Sequence, residues 1–357
     1  MILFRADGNG TIGTGHIMRC LSIADGLKRI GEESVFVCAD DNMKNLIESR
    51  GYGCEVLGTR FDDMESEIES LLNSETYRKS DAIVVDSYYA SEKYFECIRK
   101  EKKIVYVDDL IENAYPVDAL INYNIYASED KYISLYSGKN KEKNTQKNPE
   151  KPVFILGTKY APLREEYTKT KEKNTPEKTE NILIMTGGAD PTHIAPKLAE
   201  RIVEEAKTDT DESPVFHFVA GAMSGDYDRL KEIENRSNKK IVIHRNVKDM
   251  KSLMDSVDMA VSAAGSTLYE LCACAVPTIT YVLADNQMQA EKTFLEKGAM
   301  LSAGDARDGD VFFDRLYTTI SELIKNSSER KRLSQKASEI VDGRGADRIA
   351  EILKELH

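Results

Sequence analysis

The sequence predicts an α/β protein of two doubly wound Rossmann-like domains that face each other across a cleft. Short β-branched segments alternate with amphipathic segments along nearly the whole chain, a pattern typical of parallel sheets covered by helices. The length of 357 residues suits two domains of about 100–200 residues each. Ligands in such folds bind at the carboxyl ends of the strands, so binding residues are expected there.

The first domain is predicted over residues 1–165. Its clearest strands are β-branched runs at 2–6, 34–39, 81–86 and 103–109. Ile17, Leu21, Ala24 and Leu27 recur at helical spacing, so a helix is expected after the first strand. The segment 137–151 is rich in lysine and asparagine and is expected to be a solvated insertion.

The second domain is predicted over residues 178–340, with a C-terminal helix at 341–357. Its strands are expected at 181–186, 215–221, 240–244, 259–264 and 277–282. Helical patterns stand between these strands, at 194–206, 226–235, 266–273 and 287–297. This second alternation again predicts a parallel sheet with helices on both faces.

The acidic composition excludes several classes of function. With 49 Lys and Arg against 61 Asp and Glu, the formal net charge is −12, so nucleic acid is not an expected partner. No apolar run approaches the roughly 20 residues that span a bilayer, which argues against a membrane partner. The N-terminus has neither a basic start nor a long apolar stretch, so no secretion signal is expected and the predicted location is cytoplasmic.

No metal site and no cofactor are predicted. The six cysteines are scattered without a CxxC pair, as expected for reduced thiols. Asp-x-Asp pairs occur at Asp209/Asp211 and Asp308/Asp310, in polar stretches rather than directly after a buried strand. Backbone amides at helix N-termini can bind a phosphate in place of a metal ion.

The most informative segment is RADGNGTIGTGHIMRC, residues 5–20, between the first strand and the first helix. Its glycines, Gly13 and Gly15 among them, permit close backbone approach and positive φ angles. The GxGxxG spacing is met at 8–13, but the loop is longer than the tight turn of a dinucleotide-binding motif. The spacing is therefore weak evidence for a dinucleotide, whereas the amides at the start of the helix are expected to attract an anion.

His16 follows the last glycine, in the first helical turn, and is the predicted catalytic residue. A helix N-terminus favours the neutral imidazole, and an exposed neutral imidazole can act as a general base toward water. The alternative is a histidine that only hydrogen-bonds the loop, which the surrounding glycines make less favourable. The other histidines fall in strand patterns, near a second glycine loop, or at the C-terminus.

Polar residues at strand ends are candidate substrate contacts in the first domain. Asp7, Asp86 and Tyr88 follow strands, and so do Asp108 and Asp109. Each carboxylate has three possible roles: recognising a sugar, orienting His16, or capping a helix. Arg19, one turn after His16, is expected to hold a phosphate or to pair with Asp7.

The second domain carries two glycine turns after strands and one polar pair. The candidate substrate-binding residues are Gly187, Gly188, Gly265, Ser266, Thr267, Glu270, Asn286 and Gln287. The glycine turns precede helices, so their amides can bind phosphate oxygens, whereas the hydroxyls of Ser266 and Thr267 can bind phosphate or only cap a helix. Glu270 could accept both ribose hydroxyls or simply favour the helix dipole.

Six segments together resemble a known family of UDP-sugar hydrolases. They are DGNGTIGTGHIMRCLSIADGL (7–27), DAIVVDSYY (81–89), VYVDDL (105–110), LGTKYAPLREEY (156–167), MTGGADPT (185–192) and SAAGSTLYELCACAVPTITYVLADNQ (262–287). The set is similar to the UDP-2,4-diacetamido-2,4,6-trideoxy-β-L-altropyranose hydrolases of pseudaminic acid biosynthesis, and to spore-coat polysaccharide biosynthesis proteins. The last segment also resembles two-domain nucleotide-sugar glycosyltransferases.

The resemblance implies a glycosyltransferase-B-like fold and a UDP-sugar substrate. It further implies metal-independent hydrolysis of the anomeric C–O bond, with inversion, releasing UDP and free sugar. The family's catalytic histidine matches His16, and its uridine- and ribose-binding residues match Glu270 and Asn286. Two alternatives are a UDP-sugar glycosyltransferase of the same fold and a non-enzymatic nucleotide-sugar binding protein, which the intact His16 loop disfavours.

Overall fold

The computed structural model describes residues 1–100, 102–137, 151–168, 173–187, 190, 192–206, 213–221 and 224–356. The insertion predicted at 137–151 lies outside these residues except for its two ends, as do Gly188, Asp209 and Asp211. The chain divides into two compact units. One contains Met1–Glu165 together with Gly343–His357, and the other contains Glu166–Asp342.

The first unit is built on a seven-stranded parallel sheet. Its strands are β1 (Ile2–Ala6), β2 (Ser34–Cys38), β3 (Gly53–Val56), β4 (Ala82–Asp86), β5 (Lys103–Val107), β6 (Ala119–Asn122) and β7 (Val153–Leu156). They lie in the order β3-β2-β1-β4-β5-β6-β7. The direction of winding therefore reverses between β1 and β4, which is where ligands bind in doubly wound folds.

Helices follow most strands of this unit. They are α1 (Gly15–Arg29), α2 (Lys44–Ser49), α3 (Ile68–Asn73), α4 (Glu75–Lys79), α5 (Glu92–Ile98) and α6 (Glu129–Tyr136), with 3-10 turns at Met64–Glu67, Thr158–Tyr160 and Glu165–Thr168. The predicted apolar face of α1 is fully buried and packs against the core of the sheet. This packing fixes the start of α1 over the carboxyl end of β1.

The second unit is built on a six-stranded parallel sheet. Its strands are β8 (Asn181–Met185), β9 (Val215–Ala220), β10 (Ile241–Arg245), β11 (Met259–Ala263), β12 (Thr278–Val282) and β13 (Met300–Asp305), in the order β10-β9-β8-β11-β12-β13. Its helices are α7 (Ile194–Ala206), α8 (Tyr227–Arg236), α9 (Met250–Ser256), α10 (Thr267–Ala273), α11 (Asp285–Glu296), α12 (Asp310–Lys325) and α13 (Ser327–Ser338), with a 3-10 turn at Ala306–Asp308. Here the winding reverses between β8 and β11.

The two parallel sheets with their helices confirm the predicted fold class. Four strands were not predicted, namely β3, β6, β7 and β13. Two of these, β3 and β7, are four-residue edge strands that are largely not fully buried, so they lack the continuous apolar run of a central strand.

The last helix, α14 (Gly345–Leu356), packs on α1 in the first unit. Ile349, Ala350 and Leu353 join the core that contains the apolar face of α1. Gly26 of α1 permits this close approach, because a Cβ atom there would lie 2.7 Å from the carbonyl oxygen of Ala346. Across the part of the chain that the structure describes, no helix combines the length and apolar character needed to cross a membrane.

Candidate active site

The loop between β1 and α1 is closed on itself by hydrogen bonds. Asn9 and Gly13 exchange backbone bonds, from N of Asn9 to O of Gly13 at 3.1 Å and from N of Gly13 to O of Asn9 at 2.9 Å. The Oδ1 atom of Asn9 also accepts from the backbone N–H groups of Thr11 and Ile12. Gly13 has a φ of +73°, a conformation that favours glycine. The loop therefore has a defined shape at the point where α1 begins.

His16 lies in the first turn of α1 and is only 6% exposed. The expectation of an exposed side chain is wrong, because neighbouring side chains cover the ring. Its Nδ1 atom lies 2.6 Å from Oδ1 of Asp86. A carboxylate can only accept, so the neutral form of the imidazole carries its proton on Nδ1 and its lone pair on Nε2. This tautomer leaves Nε2 as a base.

Asp86 ends β4, adjacent to β1 at the point where the winding reverses. Its Oδ1 atom also accepts from Nη2 of Arg19 at 2.5 Å, and its Oδ2 atom accepts from Nε of Arg19 at 2.5 Å. Burial alone would raise the pKa of this carboxyl, but the Arg19 charge and the bond to His16 bring the pKa well below its usual range. Asp86 is therefore an ionised carboxylate that orients His16, one of the roles expected for it, while a contact with substrate stays a prediction.

Arg19 spans two carboxylates. Its Nη1 atom donates to Oδ2 of Asp109 at 2.8 Å and to the hydroxyl of Tyr123 at 3.1 Å, in addition to the bonds to Asp86. The side chain is 10% exposed. The carboxylate partners of Arg19 are therefore Asp86 and Asp109 and not Asp7, while the expected contact with a phosphate stays a prediction.

Tyr88 packs edge-on against His16, with ring centroids 4.8 Å apart and planes at 77°. Its hydroxyl donates to Oδ2 of Asp109 at 3.0 Å. Partial burial and the Asp109 charge raise the pKa of this phenol, so it stays protonated as a donor. The residue is nevertheless 44% exposed. Tyr88 therefore packs against one side of the His16 ring, and part of its own side chain stays exposed to solvent next to that ring.

Asp7 belongs to a separate buried cluster. Its Oδ2 atom accepts from Nη1 of Arg5 at 2.6 Å, and its Oδ1 atom accepts from the backbone N–H of Ala39 at 2.7 Å. Arg5 also forms two bonds to Glu67, at 2.6 and 2.7 Å. Because both oxygens of Asp7 are bonded within the core of the unit, the structure gives this residue a structural role instead of the predicted substrate contact.

In the second unit, three candidate segments follow neighbouring strands. Gly187 comes after β8, Gly265 to Glu270 after β11, and Asn286 after β12. These strands are consecutive in the sheet and parallel, so their carboxyl ends share one edge. The topology therefore brings the second-unit candidates to the same edge, although about 100 residues separate the first from the last.

The loops at this edge differ in their local bonding. Gly187 has a φ of +83°. Asp190, not singled out from the sequence, accepts from the N–H groups of Ile194 and Ala195 at 2.9 and 2.8 Å and so caps α7. Asp190 lies four residues before the helix and so outside the usual N-cap position, which is why a search for N-cap residues does not find it. Capping thus accounts for Asp190, a residue that sequence reasoning had left without a role.

Helix α10 begins differently. Ser266 is exposed and occupies the N-cap position without a side-chain hydrogen bond to the helix. The capping role weighed for its hydroxyl is therefore not used. Thr267 and Glu270 lie in the first turn and are partly buried, and Glu270 provides a carboxylate one turn behind the Gly265 loop.

The Asn286–Gln287 pair divides into two roles. Asn286 is exposed in the first turn of α11. The Oε1 atom of Gln287 accepts from the backbone N–H of Leu283 at 2.8 Å, which fixes the turn between β12 and α11. The Gln287 oxygen, predicted to contact the ligand, is thus bonded to the protein backbone and has a structural role. In the described ranges, no group of three or more His, Cys, Asp or Glu side chains is arranged to hold a metal ion.

Comparisons with known proteins agree with this architecture. Residues 182–351 match the family model of the glycosyltransferase family 28 C-terminal domain. The chain is 24% identical to the spore coat polysaccharide biosynthesis protein SpsG of Bacillus subtilis, over 99% of this chain and 97% of that protein. It is 26% identical to the UDP-2,4-diacetamido-2,4,6-trideoxy-beta-L-altropyranose hydrolase of Campylobacter jejuni, over 75% of this chain and 86% of that protein. The resemblance inferred from the sequence motifs is confirmed.

The fold also matches that of a solved structure. The crystal structure of MurG from Acinetobacter baumannii superposes with a TM-score of 0.68 and 15% identity, covering 99% of each chain. This similarity confirms the predicted glycosyltransferase-B-like fold.

Proposed function

We propose that this chain hydrolyses a UDP-linked 2,4-diacetamido-2,4,6-trideoxyhexose at the anomeric C–O bond, with inversion and without a metal ion. The products are UDP and the free sugar, which is used for pseudaminic acid biosynthesis. The observation that carries the proposal is the bond from His16 Nδ1 to Asp86 Oδ1, 2.6 Å long, at the point where the first sheet reverses its winding. The relative from Campylobacter jejuni, named as a hydrolase of such a substrate, supports the choice of sugar.

The first unit supplies the base. His16 Nε2 takes a proton from water as the water oxygen attacks the anomeric carbon on the face opposite UDP. The C–O bond breaks, and its electron pair leaves with the UDP oxygen. The Asp86 carboxylate accepts the Nδ1 proton and so keeps the ring in the orientation and tautomer that direct Nε2 at the water, as a carboxylate partner does in other histidine-based sites. The proposed sugar contacts are Tyr88, which packs against the His16 ring, and Gly13 and Gly15 of the loop that precedes it.

The second unit binds the leaving group. Backbone amides at Gly187, Gly188 and Gly265 hold the diphosphate, since amides at the carboxyl edge of a sheet attract anions. The exposed hydroxyl of Ser266 adds a donor, with Thr267 beside it. Glu270 accepts the ribose hydroxyls, and Asn286 contacts the nucleotide. Such fixed donors stabilise the developing charge on UDP without a metal ion.

The direct test is to incubate the UDP-diacetamido-trideoxy-altrose with the protein in EDTA, with no acceptor, and follow UDP and sugar by NMR. We expect release of both, with the anomeric configuration inverted in the first-formed sugar. His16→Asn should remove most turnover yet leave UDP affinity nearly unchanged. His244→Asn, a half-buried histidine of β10, is the matched control and should retain activity. No release of UDP by the wild-type protein contradicts the proposal.

A glycosyltransferase of the same fold is the second candidate, because residues 182–351 match a glycosyltransferase domain. It differs in requiring an acceptor hydroxyl in place of water. Tight binding of the UDP-sugar without turnover in the same assay, followed by turnover on addition of an acceptor, would identify it. Release of UDP and free sugar in equal amounts without acceptor would exclude it.

A further inference from the structure

Behind His16 lies a chain of charged and polar groups that the hydrolytic step does not by itself require. Arg19 bonds to both oxygens of Asp86 at 2.5 Å and to Asp109 at 2.8 Å. Asp109 also accepts from Tyr88 at 3.0 Å and from Nδ2 of Asn124 at 2.8 Å. The groups come from α1, from β4 and the segment after it, and from the ends of β5 and β6. The arrangement therefore depends on the tertiary structure.

A buried carboxylate beside a histidine favours the protonated ring, and a protonated ring cannot act as a general base. Asp86 is 1% exposed, and an unneutralised carboxylate in that position stabilises the imidazolium. A protonated His16 has no lone pair for water. The site therefore needs the Asp86 carboxylate as a hydrogen-bond acceptor but not as a free negative charge next to the ring.

Arg19 meets both requirements. Its guanidinium fork bonds to both oxygens of Asp86, a geometry that a lysine ammonium cannot reproduce. Its Nη2 atom also lies 3.1 Å from Nδ1 of His16, so its positive charge disfavours a second proton on the ring. Other polar groups facing this cluster are the thiol of Cys20, 3.5 Å from Oδ2 of Asp86, and the hydroxyl of Tyr123, 3.1 Å from Nη1 of Arg19.

We propose that Arg19 is a positioning residue that acts through Asp86 to hold His16 neutral, with its proton on Nδ1 and Nε2 free. Asp109, Tyr88 and Asn124 hold the guanidinium in place from the far side. The consequence for catalysis rests on the proposed hydrolysis, whereas the effect on His16 itself does not. Arg19 is thus assigned to the base and not to the phosphate.

The test is a titration of the histidine ring by ¹⁵N–¹H NMR in the full chain without substrate. The chain has 5 histidines, and His16→Asn identifies the His16 signal by its loss. The nitrogen shifts of the wild-type protein should report a proton on Nδ1. In Arg19→Met the protonation midpoint of His16 should rise by about 1–2 pH units, as expected for loss of a neighbouring compensating charge.

Three further variants test the direction of the change in the His16 midpoint and provide a control for it. Arg19→Lys keeps the charge and should bring the midpoint back toward the wild-type value. Asp109→Asn removes a negative charge and should leave the midpoint unchanged or lower it. Arg29→Met, at the other end of α1 where Arg29 pairs with Asp347, should not move it.

The proposal is overturned by a wild-type proton on Nε2, or by an unchanged or lower midpoint in a folded Arg19→Met. If Arg19→Met does not fold, the wild-type tautomer decides, because a proton on Nε2 overturns the proposal and a proton on Nδ1 supports it. The acidic limb of the kcat/KM profile should move with the midpoint. A shifted midpoint in a protein that never releases UDP would leave the inference standing and reject only the proposed hydrolysis.

Discussion

The Nδ1 atom of His16 lies 2.6 Å from Oδ1 of Asp86, although 70 positions separate the two residues in the chain. Asp86 ends β4, and His16 begins the helix that follows β1. β1 and β4 are paired in register, with Ala6 opposite Asp86. The pairing of the two strands therefore places the Asp86 carboxylate next to the His16 ring. The bond fixes both the tautomer and the direction of Nε2.

Asp86→Asn should lower kcat by about 10²- to 10⁴-fold, the range typical of an impaired general base. The amide can present its NH₂ to Nδ1 and so favour the tautomer with the proton on Nε2, which has no lone pair for water. UDP affinity, measured by calorimetry, should stay within about twofold because the nucleotide contacts are proposed in the second unit. Asp62→Asn, a partly exposed residue that pairs with Arg60, serves as control. Equal losses in rate and in UDP affinity would argue against this division.

The same variant should change the acid sensitivity of the fold. The pKa of Asp86 is lowered in the folded protein by Arg19 and His16 despite burial, whereas an unfolded aspartate has a pKa of about 3.9. Its contribution to stability is therefore present above about pH 4 and is lost as the pH falls below it. Melting temperatures recorded between about pH 6 and pH 2 should fall less steeply for Asp86→Asn than for the wild-type protein. Parallel curves would contradict the expectation.

Arg5→Met should destabilise the first unit by about 3–5 kcal/mol, because it leaves Glu67 and Asp7 as uncompensated buried carboxylates. Arg5 and Glu67 are both 0% exposed and are joined by two bonds at 2.6 and 2.7 Å. Urea unfolding measures the change. Arg60→Met, which removes an exposed pair with Asp62, should leave the free energy of unfolding nearly unchanged. Similar losses in the two variants would show that burial is not the cause.

Glu270→Gln should raise the Kd for UDP by about 10- to 100-fold, the value of losing charge-assisted hydrogen bonds to the ribose. At saturating substrate, kcat should change little, since the proposed base lies in the other unit. Calorimetry with UDP and with 2′-deoxy-UDP, which lacks only a ribose hydroxyl, isolates the contribution of that hydroxyl. Glu296→Gln, at the exposed end of α11, is the matched control. An unchanged Kd for UDP would remove Glu270 from the proposed nucleotide site.

Cys54 should be the most rapidly alkylated cysteine. Its sulfur lies 3.8 Å from that of Cys38, and the hydrogen bond between the two sulfurs lowers the pKa of Cys54. Burial raises the pKa of Cys20 and Cys272. Mass spectrometry after brief treatment with iodoacetamide near pH 7.5 should find Cys54 modified first. In Cys38→Ala, Cys54 should no longer be modified ahead of the other cysteines. Modification of Cys20 before Cys54 in the wild-type protein would refute the prediction.

Local patterns sufficed for much of the fold. Alternation of β-branched and amphipathic segments predicted both parallel sheets, and the apolar spacing of Ile17, Leu21, Ala24 and Leu27 predicted the buried face of α1. The glycine loop before His16 predicted a functional residue at a helix start. The short edge strands β3 and β7 carry too few buried apolar residues for such a pattern, so they were missed.

Local sequence patterns identify the class of this protein: two doubly wound sheets, with polar residues expected at their carboxyl edges. The partners of those residues depend on how the strands and helices pack. Arg19 bonds to Asp86 and Asp109, which are 67 and 90 positions away in the chain. Asp7, which was expected to pair with Arg19, bonds to Arg5. Local propensity depends on near neighbours, whereas these pairings depend on the order of strands in the sheet and on which face of α1 is buried. The charge balance around His16 is therefore a property of the packed sheet and helix, and not of the motif that contains it.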